Sequence, residues 1–280
     1  MTYAGDGAVR VTGVPDPRIE APTDAIVEVV RAAVCGTDLH LVAHDDGLPA
    51  GTVLGHEFVG RIVETGPSVH AHRVGDLVVG ADFTACGACW WCRRGDHWEC
   101  TQRRFFGTGS AFGPPLVGTQ AELVRVPYAD TVLCTVPDGV PVDAAVFLGD
   151  TLATGYAAVR RAEPLPGDTV AVIGGGPVGQ LTALAAQAAG AGAVLLVEPV
   201  DARRAVATRE GSVAVAPEDA AATAARLTDG RGADVVVDAI GGPRGLDAAF
   251  DLVRRRGTVV SVGVHAGAWE LPAAGRSPTS

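Results

Sequence analysis

Thr169-Val-Ala-Val-Ile173 runs straight into Gly174-Gly-Gly-Pro-Val-Gly179, and an Ala- and Leu-rich stretch continues to Ala189. A short apolar run, a Gly-x-Gly-x-x-Gly turn and a longer apolar run predict a strand, a tight loop and a helix that opens on that loop. Gly174, Gly176 and Gly179 let the backbone approach a pyrophosphate resting on the positive end of the helix, whose first turn holds Pro177 and Val178. Val194 to Val197 reads as the next strand and ends in Glu198, 19 positions beyond the last glycine. An acidic group there suits the ribose hydroxyls of a dinucleotide and repels a 2′-phosphate, which favours NAD over NADP. Arg203 and Arg204 stand close enough in sequence to meet such a phosphate, so NADP stays in view.

Towards the C-terminus the alternation continues. Helix 200–210, strand 213–215, helix 217–228, strand 233–239, helix 243–256 and strand 258–264 complete a doubly wound parallel sheet of five strands. Gly267 to Ser280 is rich in Gly, Ala, Pro and Ser without periodicity and is expected to be a disordered tail. Towards the N-terminus the character differs. Ala25 to Val34 is a nearly continuous Val, Ile and Ala run, and Val53 to Glu64, Asp76 to Val79 and Ala121 to Val136 are further strand-like stretches. Short strands with turn signals between them predict a barrel-like β domain with its functional residues on loops. Val142 to Leu148 has helical spacing. The expected division is therefore 1–148, 149–266 and a tail, 267–280.

The chemistry-bearing residues lie mostly in the β part. Cys86-Gly-Ala-Cys89-Trp-Trp-Cys92 and Cys100 have the spacing of a closed Zn–S4 cage. Two disulfides or free thiols are the alternative, disfavoured in a reducing compartment. Cys134, alone in a strand-like run, is expected to be a small core residue. Cys35-Gly-Thr37-Asp-Leu-His40, Gly55-His56-Glu57 and Gly149-Asp150-Thr151 are three further polar knots. Cys35, His56 and Asp150 could meet around one metal ion and leave a fourth position open, which marks a catalytic site. Asp150 could equally cap the helix that follows, and His40 could be a surface helix residue.

Bulk composition sets limits. With 48% hydrophobic and 19% charged residues the chain is globular. A formal charge of −10 argues against nucleic acid or an anionic membrane as partner. Met1 to Arg10 lacks the layout of a signal peptide, and the longest apolar run, Leu181 to Val197, is broken by Gly190 and Gly192. A cytoplasmic protein is expected.

Together these motifs resemble the zinc-dependent medium-chain alcohol dehydrogenase family, over about residues 8 to 265. Asp150 within Leu-Gly-Asp-Thr-Leu-Ala-Thr-Gly-Tyr, and Gln120-Ala-Glu-Leu-Val-Arg-Val-Pro-Tyr-Ala-Asp130, are similar to its formaldehyde dehydrogenase-like branch. The resemblance implies a GroES-like catalytic domain, a Rossmann domain and a cleft between them. It implies Cys35, His56 and Asp150 as ligands of a catalytic zinc, with Glu57 the neighbouring carboxylate, and Cys86, Cys89, Cys92 and Cys100 as ligands of a structural one. Thr37 corresponds to the hydroxyl that bonds the substrate oxygen, His40 to a proton-relay imidazole, and Asp38 to a carboxylate that orients His56. The implied activity is hydride transfer between a small or medium alcohol or aldehyde and NAD, less readily NADP. In the family a sixth sheet strand pairs across a dimer; no such strand is read here, so a homo-oligomer is possible but its usual strand is not in view. A non-catalytic zinc- and nucleotide-binding remnant is the second expectation. A structural or DNA-binding zinc protein is the third, disfavoured by the acidic charge and the glycine-rich turn.

Overall fold

The computed structural model of the chain describes residues 1–44, 48–265 and 268–270, and it divides into two units, Met1–Asp150 and Thr151–Ser280. In the first unit β1 (Thr2–Gly5) and β2 (Ala8–Arg10) form a hairpin. β3 (Ala25–Ala32) is followed by helix α1 (Gly36–His44), then β4 (Phe58–Thr65), β5 (Leu77–Gly80), β6 (Leu123–Val126), α2 (Ala129–Val132), β7 (Leu133–Thr135) and α3 (Val142–Ala145). The five longer-range strands make one antiparallel sheet in the order β6-β3-β4-β5-β7. Val27, Phe58, Ile62, Val78, Phe106, Val124 and Val126 share its core. Each such side chain contributes about 1.5–3 kcal/mol by leaving water.

Three details differ from the sequence reading. The strand expected from Val53 begins only at Phe58. Gly55 takes φ +92°, and residues 53–55 are instead bonded to a second segment through Gly118 N–H to Val53 O, Gln120 N–H to Leu54 O and Thr119 N–H to Gly55 O. The run from Ala121 to Val136 is broken by α2, which the chain enters through Tyr128 at φ 53°. Cys134, expected in the core, is exposed, because β7 is the last strand of the sheet and turns only Leu133 inward.

The second unit runs α4 (Thr151–Ala162), β8 (Thr169–Ile173), α5 (Pro177–Ala188), β9 (Ala193–Val197), α6 (Asp201–Arg209), β10 (Val213–Val215), α7 (Ala220–Leu227), β11 (Ala233–Asp238), α8 (Gly242–Leu252) and β12 (Val253–Ser261). All five strands are parallel, in the order β10-β9-β8-β11-β12. Alternate residues serve opposite faces. Val170, Val172, Leu196, Val235 and Val237 pack with Ala158, Ala183 and Ala186 on one side, while Ala171, Ile173, Leu195, Val197 and Val236 pack with Ala224, Ala249 and Leu252 on the other. The strand order reverses between β8 and β11, which is where such sheets bind ligands at their carboxyl ends.

The helix expected over 243–256 stops at Leu252. Val253 already pairs with Ala233, and the residues before Thr258 bulge outward around Arg256, at φ 59°, while Arg254 bonds Asp234 at 2.6 Å. Of the expected disordered tail only 268–270 are described, and there Trp269 stacks on Phe250 of α8 with ring centroids 5.2 Å apart. Residues 271–280 lie outside the described residues. Among the described residues no helix is long and apolar enough to cross a membrane.

Candidate metal centre and nucleotide loop

Cys35 directly precedes α1, His56 and Glu57 directly precede β4, and Asp150 is the last residue of the first unit. Asp150 arrives there by a close backbone approach. A Cβ on Gly149 would lie 2.1 Å from Gly80 O, so only glycine lets this segment press against the end of β5. The result brings one donor atom from each of Cys35, His56, Glu57 and Asp150 within 4.8 Å of the others. His56 Nε2 lies 3.5 Å from Asp150 Oδ2, and the Cys35 thiol donates to the same oxygen at 3.7 Å.

These separations suit a shared ion. Zn–N and Zn–O bonds of about 2.0–2.1 Å and a Zn–S bond of about 2.3 Å in a tetrahedron place neighbouring donors roughly 3.3–3.5 Å apart. The electrostatics point the same way. Burial opposes a charge on His56, but hydrogen bonds to Asp150, then Asp38, then Cys35 outweigh it and hold the imidazole protonated far above its ordinary range. A pocket with two carboxyl groups and a thiol thus stabilises positive charge, which a divalent cation would supply. On the far side of the ring His56 Nδ1 lies 3.4 Å from Asp38 Oδ1, both buried and neither in a well-aligned hydrogen bond. Asp38 Oδ2 accepts from Cys35 N–H at 3.0 Å, so one carboxylate faces both segments.

Thr37 and His40 sit on α1, half-buried, three residues apart and hence on one helix face. His40 is not among the clustered donors; its ring lies 4.2 Å from that of exposed His44, whose Nδ1 contacts His40 O at 2.9 Å. Phe105 packs edge-on against the His56 ring at 5.8 Å. Two groups were given no role in the site by the sequence reading, although Gln120 opens a segment quoted there. Burial, and then the charge of Asp150, pushes the Asp82 carboxyl up to about 7. The Gln120 side chain bonds Asp38. Neither has a spacing signal, since both reach the site only by tertiary contact.

The second cluster is Cys86, Cys89, Cys92 and Cys100. Backbone N–H groups aim at the sulfurs: Cys86 N to Cys100 Sγ at 3.2 Å, Cys89 N to Cys86 Sγ at 3.4 Å, Cys92 N to Cys89 Sγ at 3.5 Å and Gln102 N to Cys100 Sγ at 3.3 Å. Bonds from Cys92 and Thr101 N–H draw the Cys89 thiol down to about 6. Burial, then contact with Cys89 and Cys100, pushes Cys92 up to about 12. Four sulfurs packed this closely resist becoming thiolates together unless a cation joins them. None is in a disulfide.

In the second unit Gly174, at φ +98°, turns the chain from β8 to α5, and Pro177 and Val178 open the helix after Gly176. A Cβ on Gly179 would lie 1.8 Å from Gly174 O, so this glycine is required for the loop to close. Glu198 is buried at the end of β9, its Oε2 accepting from Gly175 N–H at 2.7 Å and its Oε1 from Val200 N–H at 2.9 Å. Arg203 lies 3.6 Å from Glu198 and stays half-exposed. Arg204 is tied to Glu198 O, Pro199 O and Asp201. Gly174, Glu198, Arg203, Ile240 and Arg244 line a cavity of ≈ 670 Å³.

Residues 21–138 match the alcohol dehydrogenase GroES-like domain family, and residues 177–275 match the zinc-binding dehydrogenase family. A protein of Mycobacterium tuberculosis named "probable zinc-binding alcohol dehydrogenase" is 41% identical over 93% of this chain and 67% of its own length. A glutathione-independent formaldehyde dehydrogenase of Pseudomonas aeruginosa is 34% identical over 75% of this chain and 56% of its own. The chain thus spans between about half and two thirds of these relatives. The solved alcohol dehydrogenase from Thermus sp. ATN1 superposes with a TM-score of 0.93 at 36% identity, covering 98% of this chain and 80% of that one. An antiparallel unit bearing two clusters of side chains able to ligate a metal, a parallel unit with a glycine loop, and relatives at this level lead to one conclusion: the chain belongs to the zinc-dependent medium-chain alcohol dehydrogenase family.

Proposed function

We propose that this chain is an oxidoreductase that moves a hydride between a small or medium alcohol and its aldehyde, with NAD as the favoured nicotinamide partner and NADP the lesser one. The observation that carries this reading is the convergence of Cys35, His56 and Asp150 in one pocket. These three would hold a catalytic zinc with Glu57 beside them, and Cys86, Cys89, Cys92 and Cys100 would hold a structural one. Bound zinc supplies Lewis-acid character that lowers the pKa of an alcohol, and the nicotinamide accepts the hydride.

The chain's own residues do the remainder. With a divalent ion bound, a thiolate and a carboxylate would nearly cancel its charge, and His56 would ligate as the neutral imidazole, held in its tautomer by Asp38. Thr37 offers its hydroxyl to the substrate oxygen, and His40, on the same face of α1, takes the proton on towards exposed His44 and solvent. Phe105 keeps one side of the His56 ring dry. Gly174, Gly176 and Gly179 seat the pyrophosphate, while Pro177 and Val178 start the helix beneath it. Glu198 disfavours a 2′-phosphate by its charge, and Arg203 moderates that preference.

The test is metal content followed by turnover. Two zinc ions per chain and reduced nicotinamide formed with NAD from at least one member of an alcohol series are expected. A chain loaded with both metals that forms none across the series, with NAD or NADP, overturns the reading.

A further inference from the structure

The Gln120 side chain lies where the segments of the candidate catalytic cluster meet. Its Nε2 donates to Ala33 O at 3.1 Å, just before Cys35, and to Asp38 Oδ2 at 3.3 Å. Both neighbours are acceptors, so the amide nitrogen must face them. Its backbone N–H bonds Leu54 O at 2.9 Å, and a Cβ on Gly55 would lie 2.4 Å from Gln120 Cγ. One residue therefore touches the approach to Cys35, the carboxylate that faces both Cys35 N–H and His56, and the turn that delivers His56. Gln120 Oε1 is buried without a hydrogen-bond partner. Such an orphaned oxygen costs free energy, which makes the amide a poor choice for filling space.

We infer that Gln120 is a positioning residue for the metal centre. By fixing Asp38 against Ala33 it holds Cys35 and His56 at ligating separation before any ion arrives. The inference rests on the proposed zinc site, and its mechanism is preorganisation: a ligand set already in place loses less conformational freedom on binding. Gln120 is not among the clustered donors and is assigned no direct part in the reaction.

The experiment compares Gln120→Met, which keeps length and removes the amide, with Gln120→Glu, which sets a carboxylate against Ala33 O and Asp38. Each is read by zinc competition against a chromophoric chelator and by the ligand-field spectrum of cobalt in the weaker site, with zinc kept in the four-cysteine cage. In both variants the weaker of two metals should bind about 10–100-fold less tightly. The cage should stay filled, and the saturated cobalt spectrum should shift. A purely structural role would lower thermal stability and leave that spectrum unchanged. Cys35→Ala is the control and should lose one metal outright. If Cys35→Ala loses it but Gln120→Met binds zinc within two-fold of the unaltered chain, the inference is overturned. If Cys35→Ala keeps both metals, the zinc-site reading itself has failed. Should Gln120→Met not fold, the Gln120→Glu affinity and spectrum decide on the same terms.

Discussion

The two sulfur-bearing clusters in the first unit are built by opposite means. The cage draws on cysteines no more than 14 positions apart, and its backbone N–H groups point at its own sulfurs. The Cys35–His56–Asp150 cluster brings together residues up to 115 positions apart, and His56 and Glu57 are almost fully buried. The first is a local loop that a metal can organise as it binds. The second exists only because a sheet has already closed around it. The cage should therefore depend on its ion for order, and the other cluster should depend on the sheet.

His56→Ala offers the harshest break of that comparison. Turnover should fall by more than about 100-fold and one metal per chain should vanish, while the cage keeps its ion and the fold its cooperative melting. Metal analysis beside calorimetry checks this; loss of both metals would mean that the clusters are not independent. Next in size, Cys89→Ala should open the lobe and lower its local stability. Limited proteolysis should then cut between residues 84 and 105 while nucleotide binding by the second unit persists. Uncut protein of unchanged stability would show that the lobe holds without its ion.

The nucleotide loop sharpens the contrast, because it should respond to neither metal. Gly179→Ala drives a Cβ towards Gly174 O, at 1.8 Å in the unaltered backbone, and should weaken dinucleotide binding by at least about tenfold. Fluorescence titration with reduced nicotinamide would show it, with metal content unaltered. The smallest effect is expected at Arg203→Ala. Removing this half-exposed cation should shift preference further towards NAD by about two- to five-fold, the scale of an exposed charge pair. A shift towards NADP would reverse the role assigned to Arg203.

Legibility followed the same division. The cage needs only spacing, and the nucleotide loop only a strand, three glycines and a helix, so both could be read directly along the chain. The parallel sheet followed from alternating runs whose residues pack on opposite faces, such as Val170 and Ala171. Errors came where neighbours overrode local pattern. Cys134 looked like a core residue but lies on an edge strand. The helix expected to continue to 256 ended at Leu252, because Val253 found a partner in Ala233.

By itself, then, the sequence determined the two kinds of unit, the clustering of the four cysteines and the glycine turn between strand and helix, since each rests on contacts between residues close in the chain. Tertiary structure alone decided that Asp150 reaches Cys35 and His56, that Gln120 braces Asp38, and that Asp82 lies near enough to feel the Asp150 charge. The physical reason is that periodicity specifies which face a residue presents. Which distant segment meets that face is settled by strand order, by register, and by approaches as close as Gly149 on Gly80.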